Sequence, residues 1–533
     1  MPRVVPAKRG WTVFYEGRPL LSTIDPVAAA DRLIAALPKD ERTLYLCISP
    51  LFGYGLSRLL DTMHPASAIL CVEAENALAT LAREHIPPEI MRHPRFMLLA
   101  DPSSGTSPAA AHAATLSAWG SRVFRRVVRF DLSASAVLHA PLYRAVEETL
   151  RREITLAWEN AATLIKLGRR YALNFLRNLR LLDIAPSVET CACPEGSPCN
   201  VPGAIPNSAL PSARTAKPLA RHDNTARIHV LGAGPSLDRF FADYRGGGIV
   251  CVDTALPALR ARGLRADLAV ALEAQHWNLR DFVGCGDSTA ALAMDLSALP
   301  ATFSCANGKV YLFFTPWTRL RIFDRLKNAA LLPLEMPPLG NVGVTAYALA
   351  HRLFPAGEII PHGLDFAYTI DQYHCRDSPG HIDSLRYSDR FHSPLPAAAL
   401  RSASFATVNE RGEPVRQDPV MRRYQELFLS VRSNPTTTAA TPLSRNRQKT
   451  AMTFATEIRT ELTRIRRILS GEEKVAGADL QTLLDSNDFL FAHYPDYAGT
   501  NNRANIEDLS FLKRIRAEID AFIKAVSANV TRQ

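Results

Sequence analysis

A short glycine-rich segment in the middle of the chain has the residue types needed to hold an anion. The apolar run Arg227–Leu231 leads directly into Gly232, Gly234, Pro235 and Ser236. A strand that enters a helix through such a turn leaves backbone N–H groups at the positive end of the helix, which favours a phosphate or a carboxylate. We therefore predict a nucleotide- or sugar-binding loop here. The alternative is a strand-to-helix turn without a ligand, because the third glycine of the dinucleotide fingerprint and the lysine of the Walker loop are absent.

Polar residues follow the next two predicted strands and are candidates to contact a ligand held by the glycine loop. The run Gly248–Val252 leads into Asp253 and Thr254, and the run Ala266–Leu272 ends at Glu273. Parallel α/β sheets bind ligands beyond the carboxyl ends of their strands, where an acidic residue often bonds a ribose hydroxyl. We therefore expect Asp253, Thr254 and Glu273 to lie beside the glycine loop, around one crevice.

A polar loop further along the chain supplies candidate acid–base groups. Asp365 follows a predicted strand at Gly357–Ile360, and His374 and His381 come after it. Imidazoles and carboxylates are the usual general bases for a hydroxyl proton. We predict that these three residues are catalytic. Two alternatives stay open, namely ordinary solvated histidines or a zinc site made by the same side chains, although no metal is expected.

Composition and charge exclude several classes of protein. Hydrophobic residues make up 47% of the 533 residues, which rules out a disordered or fibrous chain. There is no run of about 18 apolar residues and no secretory signal pattern, so we expect no membrane span. The nine scattered cysteines indicate reduced thiols and a cytoplasmic location. The net charge of +10, without a block of basic residues, favours a small anion over nucleic acid as the partner.

Hydrophobic periodicity predicts an α/β fold in two regions, joined by helices. Apolar runs at Thr43–Ile48 and Ala68–Val72 surround a glycine turn, which is the order of a Rossmann-like half or of a ligand-free α/β scaffold. Apolar positions on both sides of Gly168 predict a helical hairpin. Its basic face is either solvated or binds an anionic partner, and it includes Arg169, Arg170 and Arg177.

These patterns predict six regions along the chain. They are an N-terminal α/β Rossmann-like domain at 1–140, connecting helices at 141–185, a Pro-rich linker at 186–225, a central α/β domain at 226–395, a connector at 396–450 and a C-terminal helical region at 451–533. The linker contains Cys191, Cys193 and Cys199, which we expect to be mobile free thiols because a zinc site normally needs four ligands.

Several segments, in their order along the chain, resemble a known family. They are GAGPSLD, VDTALPALRARGLRADLAVALE, GNVGVTAYALA and IIPHGLDFAYTIDQYH. Together they resemble the motility accessory factor (Maf) glycosyltransferases, which group with the 6-hydroxymethylpterin diphosphokinase MptE-like proteins. The segments SPLFGYGLSRLL and YALNFLRNL, the latter with Asn174 and Asn178, are also similar to that family. The resemblance implies a doubly wound central domain like that of bacterial sialyltransferases, preceded by a smaller Rossmann-like domain and followed by helices.

The resemblance also implies an activity. Members of that branch are thought to transfer a nonulosonic (sialic-acid-like) sugar from a CMP donor to serine or threonine of flagellin. By motif match, the glycine loop would hold the nucleotide or the sugar, and Asn341 and Val342 would lie on a second glycine loop of the crevice. Asp365 and His374 would fall in the family's acidic-loop and histidine positions. Glu273 departs from the family pattern, since relatives often have Asp there.

Two other functions remain open at this point. A diphosphokinase would transfer pyrophosphate from ATP to a hydroxymethylpterin and would need bridging Mg²⁺. A non-catalytic flagellin-binding protein would need no donor at all. Binding of CMP, of ATP with Mg²⁺, or of neither separates the three.

Overall fold

The computed structural model describes residues 1–100, 107–192, 227–369, 372–391, 404–434, 449–497 and 503–528. Two compact units divide the chain, one consisting mainly of Met1–Thr163 and the other mainly of Leu164–Tyr497. Each unit contains a parallel sheet with helices, which confirms the predicted α/β class. The six predicted boundaries do not coincide with this division and stay predictions.

The first unit combines a small antiparallel sheet with a parallel one. The antiparallel strands are β1 (Arg3–Pro6), β2 (Trp11–Tyr15) and β3 (Arg18–Pro19), and the parallel strands are β4 (Thr43–Ile48), β5 (Ala68–Val72), β6 (Phe96–Leu99) and β7 (Arg126–Asp131). Within the described residues the parallel order is β6-β5-β4-β7. The helices are α1 (Pro26–Ala35), α2 (Leu56–Thr62), α3 (Asn76–His85), α4 (Pro88–Met91) and α5 (Pro108–Ala118). The apolar runs of β4 and β5 are fully buried, as expected for central parallel strands.

A single long helix replaces the predicted hairpin. Helix α6 runs from Ala140 to Asn178 without a break and is followed by the short α7 (Leu181–Ile184). The prediction was wrong because Gly168 allows close packing of the helix and does not form a turn. A Cβ there would lie 3.0 Å from Cβ of His493 and 2.8 Å from Cδ1 of Leu164, so glycine lets the helix approach another segment closely.

The second unit is built on a parallel sheet of seven strands among the described residues, in the order β13-β12-β11-β10-β9-β8-β14. The strands are β8 (Arg227–Leu231), β9 (Gly248–Val252), β10 (Leu268–Ala271), β11 (Ala291–Asp295), β12 (Lys309–Phe314), β13 (Leu334–Glu335) and β14 (Glu358–His362). The chain starts at β8, proceeds outward to β13 and returns to the other side of β8. The strand order therefore reverses between β8 and β14, which is where such sheets open a crevice.

Helices surround this sheet. They are α8 (Leu237–Asp243), α9 (Leu256–Ala261), α10 (Leu279–Phe282), α11 (Arg321–Asn328), α12 (Val342–Leu353) and α13 (Pro379–Arg386). Helix α12 packs on β8, β9, β10 and β14. Its alanines are buried, because small side chains let a helix lie close to a sheet.

The region after the sheet contains more structure than the sequence predicted. The hairpin β15 (Phe405–Val408) and β16 (Pro414–Gln417) and the helix α14 (Pro419–Ser433) lie inside the predicted connector. Helices α15 (Ala451–Leu469), α16 (Gly477–Ser486) and α17 (Leu509–Ser527) follow. The predicted apolar stripes on α15 and α17 are buried, and the two helices pack on each other.

The described part of the predicted linker is packed. Residues Val188–Ala192 form a 3₁₀ helix, and the Ser187 hydroxyl accepts the N–H of Leu334 at 3.0 Å. Cys191 is fully buried, so the prediction of a mobile thiol was wrong for this residue. Cys193 and Cys199 lie outside the described residues.

Candidate active site

The predicted glycine loop is closed by a second loop of the chain. Strands β8 and β14 are neighbours, so the segments that leave their carboxyl ends face each other. The Gly232 N–H donates to the carbonyl of His362 at 2.8 Å, and the Gly234 N–H donates to the carbonyl of Gly363 at 2.9 Å. These two amides are not available to a phosphate, contrary to the prediction.

The amide of Ser236, at the end of the loop, is occupied by a carboxylate. The Ser236 N–H donates to Oδ2 of Asp365 at 3.1 Å, and the Ser236 hydroxyl accepts the N–H of Gly363 at 3.2 Å. Helix α8 begins at Leu237, directly after Ser236, and Pro235 precedes that N-cap residue rather than taking the first helical position. We call this arrangement of residues 232–236 and 363–365 the loop lock.

The glycines of the loop lock are required by the chain itself. A Cβ on Gly232 would lie 2.3 Å from the carbonyl oxygen of Gly363, and one on Gly234 would lie 2.1 Å from Oδ2 of Asp365. No side chain fits at either position. The glycine pattern that predicted a ligand-binding loop therefore reflects the close approach of residues 363–365.

The three predicted catalytic residues form hydrogen bonds with other groups of the protein. Burial raises the pKa of Asp365, while its bonds to Ser236 oppose that shift. Burial lowers the pKa of His374, whose ring bonds the carbonyl of Ala233. The His381 ring accepts the N–H of Asp377 at 3.2 Å through Nδ1. Asp365 is thus a structural residue of the loop lock, and the roles predicted for His374 and His381 stay untested.

Asp253 and Asp281 form a buried pair of acidic residues that Thr254 connects, so Asp253 and Thr254 do not face a ribose. Asp253 is buried, and it accepts the N–H of Thr254 at 2.8 Å. The Thr254 hydroxyl donates to Oδ2 of Asp281 at 3.1 Å. Burial and the nearby Asp281 raise the pKa of Asp253 to about 7, and burial raises that of Asp281 to about 6. No pattern in the sequence indicated that Asp281 would lie beside Asp253, because Asp281 belongs to a later helix, α10.

Glu273 is the predicted acidic residue that remains accessible. It is exposed where the chain leaves β10, and Oε1 accepts the N–H of Gln275 at 3.0 Å. Burial, together with Glu273 and the buried Asp295, raises the pKa of Tyr171 on α6 to about 12. The charge of Glu273 therefore acts on Tyr171 of α6.

Asn341 and Val342 begin helix α12. The Asn341 side chain caps the helix by accepting the N–H groups of Gly343 at 2.7 Å and Val344 at 3.3 Å. Val342 packs against the core. Within the described residues, no hydrogen bond joins Asn341, Asp253 or Glu273 to the glycine loop, although the side chain of Leu364 packs against both Gly232 of that loop and Gly343 at the start of α12.

A cavity of about 340 Å³ lies at the carboxyl edge, beside α6, and we call it the cationic pocket. Its lining combines charged residues of α6 with loop residues that follow β10 and β11: Lys166, Arg169, Arg170, Leu173, Asn174, Arg177, Ala274, His276 and Leu299. Arg169 pairs with Glu518 at 2.8 Å. Among the described residues, Lys166, Arg170 and Arg177 make no ion pair, and all three are exposed. The sequence showed this basic face but not its place over the sheet.

Two buried asparagines fix α6 over the ends of the strands. Nδ2 of Asn174 donates to the carbonyls of Ala274 at 3.0 Å and Ser297 at 3.3 Å. Nδ2 of Asn178 donates to the carbonyls of Leu296 at 3.0 Å and Ala298 at 2.9 Å. These carbonyls belong to the loops that leave β10 and β11. The cationic pocket therefore opens at the edge where parallel sheets bind ligands.

The described residues contain no cluster of three or more histidine, cysteine or acidic side chains placed to bind a metal ion. None of the helices in the described ranges has the length and apolarity of a membrane span. The seven described cysteines are free thiols, six of them buried.

Comparison with known proteins supports the family resemblance for the centre of the chain. Residues 207–371 match the family described as 6-hydroxymethylpterin diphosphokinase MptE-like, so this segment is MptE-like, as the sequence motifs indicated. An uncharacterized protein of Treponema pallidum (strain Nichols) is 27% identical over 581 aligned positions, which cover 99% of this chain and 95% of the relative. The Maf glycosyltransferase of Magnetospirillum magneticum AMB-1 aligns structurally over 99% of this chain and 91% of its own, with a TM-score of 0.49 and 14% identity.

Proposed function

We propose that this protein is a glycosyltransferase that transfers a nonulosonic, sialic-acid-like sugar from a CMP donor to serine or threonine of flagellin. The cationic pocket carries this proposal. It places Lys166, Arg170 and Arg177 without acidic partners, among the described residues, at the ligand-binding edge of an MptE-like α/β sheet. The proposed donor site therefore lies beside α6 and not at the glycine loop, where the amides of Gly232, Gly234 and Ser236 are occupied.

The charge of the pocket suits such a donor. A CMP-nonulosonate carries a phosphodiester and a carboxylate, and guanidinium groups bind both through paired hydrogen bonds. As the glycosidic bond breaks, negative charge develops on the departing CMP phosphate. Arg170 and Arg177 would stabilise that charge, which is the main catalytic contribution such a site can make.

The acceptor hydroxyl needs a base near the donor. His276 lines the cationic pocket, and its ring stacks on Trp277 with a centroid distance of 5.4 Å. Glu273 lies exposed three residues earlier, after the same strand. We propose His276 as the base in place of His374, because His276 lines the cationic pocket and His374 does not.

The MptE-like match favours one alternative, a diphosphokinase that transfers pyrophosphate from ATP. The same cations would bind a triphosphate equally well. Such an enzyme would need Mg²⁺, which is usually held by one or two carboxylates together with the phosphates. Glu273 is the exposed carboxylate placed for that role. A non-catalytic flagellin-binding protein would use the same basic face for an acidic partner.

Calorimetric titration tests these functions. We expect wild-type protein to bind CMP with or without chelator, and we expect Arg170→Gln/Arg177→Gln to weaken binding about tenfold or more, equivalent to about 1.4 kcal/mol. Arg152→Gln is the matched control, because Arg152 is an exposed arginine of the same helix that pairs with Glu153 outside the pocket.

Other results would reject the proposal. Binding of ATP only with Mg²⁺, and not of CMP, would support the diphosphokinase. Binding of neither nucleotide would support the flagellin-binding protein. Mass spectrometry of flagellin from a strain that lacks this protein then tests the acceptor, because the proposal requires the loss of a nonulosonic-acid mass.

A further inference from the structure

A second cluster of unpaired cations lies in the first unit, around one tryptophan. The guanidinium carbons of Arg125, Arg122 and Arg42 lie 3.8, 5.3 and 5.6 Å from the centre of the Trp158 ring. Three like charges are therefore held around a single aromatic ring.

Acidic partners are absent from this cluster among the described residues. The neighbouring Arg126 takes the nearby acids, with Asp40 at 2.8 Å and Glu41 at 3.7 Å. Nε and Nη1 of Arg122 are buried and have no hydrogen-bond partner in the described part of the chain. A buried guanidinium with unused donors is uncommon, because such groups are almost always paired.

The electrostatic environment of Arg122 also indicates that its charge lacks an acidic partner among the described residues. Burial lowers the pKa of Arg122, and the charges of Arg42 and Arg125 lower it further. An anion bound between these side chains would oppose this lowering of the pKa, because an opposite charge favours the ionised form.

The platform beneath the cations is rigid. Nε1–H of Trp158 donates to the carbonyl of Phe124 at 2.6 Å, and Phe124 is fully buried. The N–H of Arg125 donates to the carbonyl of Arg42 at 2.7 Å, which ties the segments carrying these two arginines together. Arginines stacked on a fixed ring lose little freedom when they bind a ligand.

We propose that Arg42, Arg122 and Arg125 form an oxyanion site that binds a phosphate group. Guanidinium forks match phosphate oxygens, and a doubly charged phosphate neutralises more of the cluster than a carboxylate does. Arg125 stacks on the Trp158 ring at 3.8 Å, so it competes with a nucleobase for that ring. The site therefore recognises the phosphate itself, whether it is free or carried by a phosphorylated molecule, and it does not depend on the glycosyltransferase proposal.

The test is titration of the full chain with inorganic phosphate and with pyrophosphate. The Arg170→Gln/Arg177→Gln background is used so that the cationic pocket does not contribute. We expect saturable binding that Arg122→Gln or Arg125→Gln weakens about tenfold or more. Arg126→Gln is the matched control, and it should change affinity less than about twofold, since its charge is already paired.

Three outcomes overturn the proposal. The first is no binding of either probe up to about 10 mM, which is the range of very weak affinity. The second is equal loss of affinity in the control Arg126→Gln, since that would show general attraction by positive charge. The third is binding of a single-stranded oligonucleotide without binding of either probe. Exposed Arg125 gives a second variant should Arg122→Gln fail to fold.

Discussion

Replacement of Gly234 by alanine tests whether the loop lock is a structural element. An added Cβ would lie 2.1 Å from Oδ2 of Asp365 and 2.8 Å from the carbonyl oxygen of Gly363. The side chain of Asp365 can turn away, but the backbone carbonyl cannot move without separating the two loops. The substitution should therefore break the Gly234 N–H bond at 2.9 Å and the Ser236 N–H bond to Asp365 at 3.1 Å.

The magnitude follows from these contacts. Overpacking a tight site costs roughly 1–3 kcal/mol, and each lost hydrogen bond costs about 0.5–1.5 kcal/mol. The combined loss is about 2–6 kcal/mol, which should lower the unfolding midpoint of the second unit by roughly 3–8 °C, since a unit of this size has a large entropy of unfolding. Differential scanning calorimetry measures this shift.

Gly477→Ala is the matched control for this experiment. A Cβ on Gly477 would meet only Cδ1 of Ile506, at an ordinary 3.5 Å, and Gly477 lies at the start of a helix. We expect little change or a small gain in stability there. A Gly234→Ala protein that melts with the wild type, while losing affinity for CMP, would refute the loop lock and restore the glycine loop as a ligand site.

Three further predictions concern the edge of the sheet. Asn174→Ala should cost about 1–3 kcal/mol and weaken CMP binding, because two carbonyls lose their donor and α6 is loosened; denaturation and titration measure both. Burial and His229 lower the pKa of His362 to about 4, so stability should fall by roughly 1–2 kcal/mol as pH decreases from about 6.5 to 4. A His362→Gln variant should show a flatter pH profile. The pKa of Asp253 is raised to about 7, so the stability that its protonated carboxyl contributes is lost as pH rises through 7. Asp253→Asn should therefore unfold at a higher temperature than wild type at pH 8 but not at pH 4.

The strands were predictable because their signal is local. Gly248–Val252 reads as an apolar run, and the structure buries all five of its residues. The apolar stripes of the C-terminal helices were equally clear, since their residues recur with helical spacing. Ile458 on α15 and Ile519 on α17 belong to these stripes, and both are fully buried. Gly168 misled the prediction because the residue that requires it, His493, lies far away in the sequence.

The candidate site was predicted less well, because its partners are distant in sequence. The glycine pattern gave no sign that Asp365 would supply the anion, since the two loops are joined only by the pairing of β8 with β14. The acidic pair of Asp253 and Asp281 depends on the fold in the same way. Arg170 and Arg177 were visible as a basic face, but their position over the sheet depends on where the asparagines anchor the helix.

The anchoring of α6 has a consequence for how such a protein acquires its specificity. The helical residues that line the cationic pocket lie between 166 and 177, whereas the MptE-like match spans 207–371. A fragment trimmed to the matched segment would keep all seven described strands of the sheet and lose every arginine and lysine that lines the pocket. If the cationic pocket binds the donor as proposed, the preceding helix and the sheet are two parts of one binding surface, and exchanging the helix alone should change which ligand charge the site accepts.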